Sequence, residues 1–401
     1  MSTLKVDAIR SNSASSDAIT LDGNGKCAVT GSTVTADTGK FTNLPNRNLI
    51  INGAMNVAQR GTSSTVSGYA TLDRFLVLHS GTDEAPTQEQ ADVAAGTTPY
   101  TLGFRKSLKI TNGNQTSGAD AADYILINYK TESQDIAKSG WNYTDPNSYI
   151  TFSYWVKSSV AQNFYVRIIS DDTTKQRYAF DTGSLTANTW TKITKTIPGN
   201  SNLVFNNDTG IGLYFRFYLY RGTNYTSNSV NLNQWETHDS SQNVPDNTST
   251  WYTTNDATFE ITGVQLEVGS VATDFEHRSF AQELVLCERY YRSFYDSRIE
   301  KGKYWATGYY YSSSNMNIIE KFPIEMRATP TLICTSGTNF YRLYRHGAID
   351  YVDDFTLTHA TRKAFRMNNQ TDASGTAGST GGFYNPSTET DLKIIAFDAE
   401  L

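Results

Sequence analysis

Charge is scarce in this chain of 401 residues: Asp, Glu, Lys and Arg make up 18% of it, and the formal balance is −6. It has no run of Lys and Arg, so nothing in it marks an electrostatic footprint for nucleic acid. Apolar runs are short, far below the ~18–20 residues that cross a bilayer as a helix, and no membrane insertion is expected. The first residues, Met1-Ser2-Thr3-Leu4-Lys5-Val6-Asp7, lack the apolar core of a secretory signal, so synthesis and assembly are expected in a cytoplasm. Three cysteines, Cys27, Cys287 and Cys334, are too far apart and too few for a disulfide framework or a zinc site. They read as reduced thiols.

Catalytic signatures are missing as well. His79, His238, His277, His346 and His359 show no HExxH or HxH spacing, and no GxSxG elbow, P-loop or GxGxxG occurs. Asp-Thr-Gly appears at Asp37, Asp181 and Asp208, but an aspartic protease needs two such loops face to face on large lobes. Tight turns explain all three. Asp22-Gly23-Asn24-Gly25-Lys26 starts like a calcium loop, yet Cys27 and Thr33 stand where that loop needs Gly and Glu. Asp171-Asp172 and Asp353-Asp354 are adjacent pairs, which point to opposite faces of a strand and do not make a glycosidase pair. No enzyme is expected.

What is abundant is Tyr, at 25, together with Ser, Thr, Asn and 28 Gly against nine Pro. This composition predicts an all-β protein of short strands and turns. Period-two alternation is clear in three places. In 149–157, Ile150, Phe152, Tyr154 and Val156 share one face and Trp155 lies on the other. In 212–221, Leu213, Phe215, Phe217 and Leu219 oppose Tyr214, Arg216, Tyr218 and Tyr220. In 164–169 the outward set includes Tyr165 and Arg167. These strands predict an antiparallel two-sheet sandwich over 47–278.

A helix is predicted over 279–298, opened by a Ser279/Gln282 capping box. Phe280, Leu284, Cys287, Tyr291 and Phe294 then follow coiled-coil spacing, fitting either a helix packed on a neighbouring domain or a three-chain junction. Residues 299–401 read as a small β domain with strands near 304–311, 316–322, 331–335, 339–345, 355–359 and 392–398. Residues 372–382 read as a Gly-rich loop. Residues 1–46 cannot bury a core alone, so they are expected to be held by sister chains or by another protein.

Two surfaces are candidates for sugar. Sugar C–H faces stack on aromatic rings while hydroxyls take donors and acceptors, which Tyr and Arg supply. The first set is Trp155, Tyr165, Arg167, Tyr214, Arg216, Tyr218 and Tyr220. The second is Trp305, Tyr309, Tyr311, Tyr341 and Tyr344, with Tyr310, Arg342, Arg345 and His346 nearby. Tyr and Arg also favour protein interfaces, so packing against sister chains is the competing account.

One pair of segments carries a resemblance. Asn48-Leu49-Ile50-Ile51-Asn52-Gly53-Ala54-Met55-Asn56-Val57-Ala58-Gln59-Arg60-Gly61, followed by Leu72-Asp73-Arg74-Phe75, reads as an opening strand with a second short strand. Gly263-Val264-Gln265-Leu266-Glu267-Val268-Gly269-Ser270-Val271-Ala272-Thr273-Asp274-Phe275-Glu276 reads as the closing strand. This pair resembles the carbohydrate-binding-like jelly-roll modules of bacteriophage tail-fibre proteins. Leu4-Lys5-Val6-Asp7-Ala8-Ile9 with residues 18–31 resembles the N-terminal anchors of such fibres. Residues 321–331 and 394–401 are similar to phrases in their C-terminal regions. The resemblance implies a non-enzymatic homotrimeric virion fibre. Residues 1–46 would attach to a tail, baseplate or capsid protein, 47–278 would be the jelly roll, and 299–401 would be a tip meeting host-surface glycans. It leaves room for a structural calcium ion in the sandwich and implies no other cofactor. The alternatives are a purely structural virion component, such as a head fibre, decoration or baseplate adaptor protein, and a polysaccharide depolymerase.

Overall fold

The computed structural model describes residues 47–401 and, in the N-terminal segment, the backbone of three short antiparallel strands, β1 (Ala8–Ile9), β2 (Ile19–Leu21) and β3 (Cys27–Val29). The remaining anchor residues, with the calcium-like loop and Asp37, lie outside the described residues. Pro45–Leu401 form one unit.

The sandwich is built from β4 (Ser63–Ser64), β5 (Leu76–Ser80), β6 (Thr87–Asp92), β7 (Lys106–Thr111), β8 (Tyr124–Glu132) and β9 (Tyr149–Ser158). It continues with β10 (Tyr165–Ser170), β11 (Gln176–Asp181), β12 (Thr191–Pro198), β13 (Ile211–Arg221), β14 (Trp235–Thr237) and β15 (Thr258–Val268). One sheet has the order β14-β11-β10-β13-β8-β5, the other β12-β9-β15-β7-β6-β4. All named pairings within them are antiparallel. The all-β class and the sandwich expected from alternation are therefore present. The alternating apolar faces meet between the sheets, where the Phe152 ring stacks on Phe215 at 4.8 Å and Tyr154 meets Phe217 edge-on at 5.1 Å.

The opening segment is corrected. Residues 48–61 form no strand; they cross the closing strand as a run of turns with left-handed backbone at Asn52 and Met55. Their amides still find partners: Leu49 donates to the Leu266 carbonyl at 2.8 Å, and Val264 donates to the Gly53 carbonyl at 2.9 Å. Asn48 ties both segments, its Oδ1 accepting from the Leu266 amide at 3.1 Å. Closeness explains the two glycines. A Cβ on Gly53 would lie 2.1 Å from the Val264 carbonyl oxygen. Gly263, at φ +62 and facing Phe104, sits in the bulge where the β15–β9 register shifts. Gly263→Ala is expected to lose about 1–2 kcal/mol from the left-handed backbone alone, read as a lower midpoint in urea unfolding; an unchanged midpoint would contradict this account.

Leu72-Asp73-Arg74-Phe75 is likewise a turn and not a strand, with Arg74 at φ +72. That turn sends Asp73 and Arg74 into the junction with the C-terminal region.

Four short α-helices occur among the described residues: α1 (Thr98–Thr101), α2 (Ser133–Ala137), α3 (Thr250–Thr253) and α4 (Phe280–Glu288). The capping box on Ser279 and Gln282 is formed, but α4 ends at Glu288 and not near 298. The chain turns and becomes β16 (Tyr291–Asp296). Coiled-coil spacing misread a strand as helix because Tyr291 and Phe294 continue a 3–4 rhythm by coincidence. Of the five stripe residues, Phe280 is exposed, Leu284 is half-buried, and Cys287 is buried in the molecule. Tyr291 lies beneath the Arg60 guanidinium at 3.6 Å, and Phe294 packs on Phe365 at 5.3 Å. No single helical face joins them.

The C-terminal region continues with β17 (Lys303–Ser312), β18 (Asn315–Lys321), β19 (Thr331–Cys334), β20 (Tyr341–Arg345), β21 (Ala348–Val352), β22 (Thr356–Ala360), β23 (Ala364–Asn369), β24 (Thr380–Asn385) and β25 (Ile394–Asp398). A three-stranded sheet, β16-β25-β19, packs with a seven-stranded sheet, β21-β20-β24-β17-β18-β23-β22, around a core holding Tyr295, Tyr341, Phe355, Phe383 and Phe397. The Gly-rich loop is shorter than expected, since β24 begins at Thr380.

Sandwich and C-terminal region share a buried ionic seam. Arg74, whose side chain is 1% exposed, pairs with Glu400 and lies 3.4 Å over the Tyr290 ring. Arg60 reaches Asp73, Asp398 and Glu400 at 3.5, 3.2 and 3.4 Å. Glu132, fully buried, accepts from Arg289 at 2.6 and 2.8 Å and from the Tyr290 hydroxyl at 2.7 Å.

Candidate functional site on the outer face of the sandwich

Register places the first aromatic and basic set. Arg167 on β10 stands directly opposite Arg216 on β13, and Arg216 in turn stands opposite Asn128 on β8. Facing like charges repel, so each guanidinium is held by neutral acceptors. Arg216 donates from Nε to the Asn128 Oδ1 at 2.9 Å and from one Nη to the Tyr214 hydroxyl. Arg167 donates to the Asn243 Oδ1, with His238 Nδ1 at 3.4 Å.

The connection from β13 to α3, residues 222–249, crosses part of this face. Its Val230 and Val244 pack with Leu126, Ala179 and Tyr218 in a small second core. Tyr218 is thereby buried, and Tyr165 is half-buried beside it. What stays open is a cavity of about 290 Å³ lined by Arg167, Tyr214, Arg216, Arg221, Tyr225 and His238, among others. The Arg221 guanidinium lies over the Tyr225 ring at 3.6 Å and the Tyr124 ring at 4.6 Å.

The lining carries four cations, Arg167, Lys175, Arg216 and Arg221, against one carboxylate, Asp171. Asp171 is already paired with Lys175 at 2.7 Å. Burial pushes the His238 imidazole down to about 4, and the charges of Arg167, Lys175, Arg177 and Arg216 add to the effect. His238 is neutral at pH 7. Burial also draws Arg167 down to about 10, with Arg216 and Arg177 adding to the shift against Tyr218 and Tyr214.

The set read from sequence is thus divided. Arg167, Tyr214 and Arg216 come together at the cavity. Tyr220 does not: a bulge between Tyr218 and Tyr220 turns its ring inward, onto Tyr252 at 4.4 Å. Trp155 belongs to the other sheet, on β9. There it lines a separate cavity of about 240 Å³ with Phe104, Phe275 and His277. Arg221, Tyr225, His238 and Asn243 were missed. Arg221 ends a recognisable strand, but the other three sit in an Asn/Ser/Thr-rich connection with no periodicity.

The second set is also divided. Tyr341 is core, its hydroxyl donating to the Thr335 carbonyl at 2.8 Å. Trp305 stacks on Tyr295 at 4.4 Å within the same core. Tyr311 is exposed and Tyr309 half-exposed. Tyr344 joins Tyr304 and Tyr384 in an outward trio, with rings 5.1–6.4 Å apart. Tyr384 was missed because it follows the segment read as loop.

Among the described residues, no group of three or more His, Cys, Asp or Glu is placed to hold a metal ion. Also among them, no helix is long and apolar enough to cross a membrane.

The fold and this face define an all-β sandwich protein with a basic, aromatic recess. No family model matches the chain, and a search of curated proteins gave no match. Solved structures similar to it include the enzymatically active domain of bacteriophage CBA120 tailspike protein 4, at 11% identity and TM-score 0.30, over 55% of this chain and 21% of that one. Another is the N-terminal cellulose-binding domain of Cellulomonas fimi β-1,4-glucanase C, at 9% identity and TM-score 0.26, over 54% of this chain and 99% of that one. A third is the CBM22-1-CBM22-2 tandem domain of Paenibacillus barcinonensis Xyn10C, at 11% identity and TM-score 0.23, over 80% of this chain and 91% of that one. The match spans only about a fifth of the tailspike chain.

Proposed function

We propose that the protein is a non-enzymatic glycan-binding adsorption protein, a bacteriophage tail fibre whose outer sandwich face contacts host-surface sugar. The observation that carries this reading is the recess where Tyr214 and Tyr225 stand beside Arg167, Arg216 and Arg221. Rings offer stacking planes and the guanidinium forks offer donors, the combination a sugar ring needs. Its single carboxylate is engaged by Lys175, so the recess offers no acid and base pair across a substrate. Residues 1–46 would attach the fibre to a virion tail, baseplate or capsid protein. A homotrimer would turn several weak sites into firm adhesion.

The test is binding of labelled full-length protein to a panel of bacterial cells. Tyr214→Ala with Arg216→Ala is expected to reduce binding by at least about tenfold, the factor of one lost charged hydrogen bond. Tyr304→Ala with Tyr344→Ala is the comparison. Loss only in that second pair would move the contact to the C-terminal trio. Release of reducing ends from envelope polysaccharide would establish a depolymerase instead. Absence of binding to every strain would leave the structural virion role.

A further inference from the structure

The chain as a whole is acidic, yet the lining of this outer recess is basic. We propose that the recess recognises an anionic group on the glycan, a carboxylate or phosphodiester of an acidic polysaccharide, with Arg216 and Arg167 as the receiving forks. This rests on the glycan reading above and narrows it from sugars in general to charged ones.

The first support is missing counter-ions. The neighbouring cations are already matched: Lys175 with Asp171 at 2.7 Å, and Arg177 with Glu236 at 2.9 Å. Arg167, Arg216 and Arg221 form no ion pair with a carboxylate among the described residues; their acceptors and neighbours are Asn128, Asn243, His238 and tyrosines. The second is an orphaned donor. Arg167 is 2% exposed and lines the recess, yet its Nε has no hydrogen-bond partner. Burying such a donor unpaired is expensive. Two guanidiniums facing each other across adjacent strands are unfavourable until an anion lies between or above them, and Arg matches carboxylate and phosphate geometry in two-point contacts. The third is position. Arg221 lies over Tyr225, 3.6 Å from its ring centroid, beside the same opening, so a charged sugar would meet a guanidinium and a ring together.

Titration calorimetry on the full-length protein tests this with matched probes: oligogalacturonate, its methyl ester, and a ribitol-phosphate oligomer. We expect binding of a charged probe, at least tenfold weaker binding of the methyl ester than of the free acid, and at least tenfold weakening by Arg216→Ala with partial recovery in Arg216→Lys. The galacturonate and ribitol-phosphate arms separate carboxylate from phosphodiester recognition. Thermal unfolding of each variant checks that the fold is kept, and Arg221→Ala serves as a second variant should Arg216→Ala unfold. Equal binding of acid and ester, unchanged by either Arg variant, would overturn the anionic inference while leaving glycan binding intact. Failure to bind any charged probe, while cell binding still depends on Tyr214 and Arg216, would also overturn it. Failure of charged probes together with loss of all cell binding would remove the glycan reading itself.

Discussion

Replacing Glu400 by alanine is expected to lower the stability of the whole unit by about 3–5 kcal/mol, the range for removing one partner of a buried pair. Its carboxylate is 4% exposed and meets Arg74, which is 1% exposed. Arg74 cannot turn to water, because the Tyr290 ring lies 3.4 Å beneath it and its other Nη donates to the Lys130 carbonyl at 2.6 Å. Loss of Glu400 therefore leaves a charge stranded in the seam and removes one of the three carboxylates around Arg60. Arg74→Met in the Glu400→Ala background should restore a large part of the loss, since it removes the stranded charge as well. Urea unfolding of the two single variants and the double variant measures the coupling. Additive losses, or a single-variant loss below about 1 kcal/mol, would mean the seam does not hold the two regions together.

This seam explains which parts of the molecule were legible in the sequence. Period-two alternation in β9 and β13 reported the sandwich correctly because each strand has one face against a dry core, and Phe152 and Phe215 do meet there. Alternation could not report which sheet a strand joins, so Trp155 and Tyr214 were read as one surface although they lie on different sheets. Nor could it foresee the bulge that buries Tyr220. β8 was not read at all, although its Asn128 anchors Arg216. The ends of the sandwich segment stood out as phrases without revealing their work. Asn48, Gly53 and Gly263 serve a close backbone crossing, Asp73 pairs with Arg60, and Arg60 and Arg74 serve ion pairs with Asp398 and Glu400, more than 300 positions away. Contacts of that separation leave no local period.

The same seam changes how the recognition site should be located. Cutting the chain after Arg278 would remove Glu400, Arg289 and Tyr290 together, and the sandwich would keep Arg74 and Glu132 buried without their ion-pair partners. Lost binding in such a fragment would report unfolding, and point substitutions in the recess avoid that confusion.

Acidity offers a sharper reading of the seam. Burial lifts Asp73 to about 6, against the Arg60 charge and hydrogen bonds from Gln59 and with the Glu400 charge adding to the rise. An unfolded Asp ionises near ~3.9. Between these values the folded state holds a proton that the unfolded chain has released, so stability falls as pH rises through about 4 to 6. Glu132 works with the opposite sign. Burial alone would raise it, but hydrogen bonds from Arg289 and Tyr290 outweigh that and hold it below its ordinary value. Its contribution is complete above the unfolded Glu value of ~4.3 and is lost as pH falls through the folded value. Together these two groups place maximal stability near pH 4, with a gain on acidification from pH 7 to 5 on the order of 1 kcal/mol. Asp73→Asn should flatten that limb, because the residue no longer takes up a proton, and should leave the acid limb below pH 4 in place. Urea midpoints measured from pH 3.5 to 7.5 decide the matter. A wild-type curve that is flat or rising between pH 5 and 7 would mean that Asp73 stays ionised in the fold, with Arg60 and Gln59 outweighing its burial.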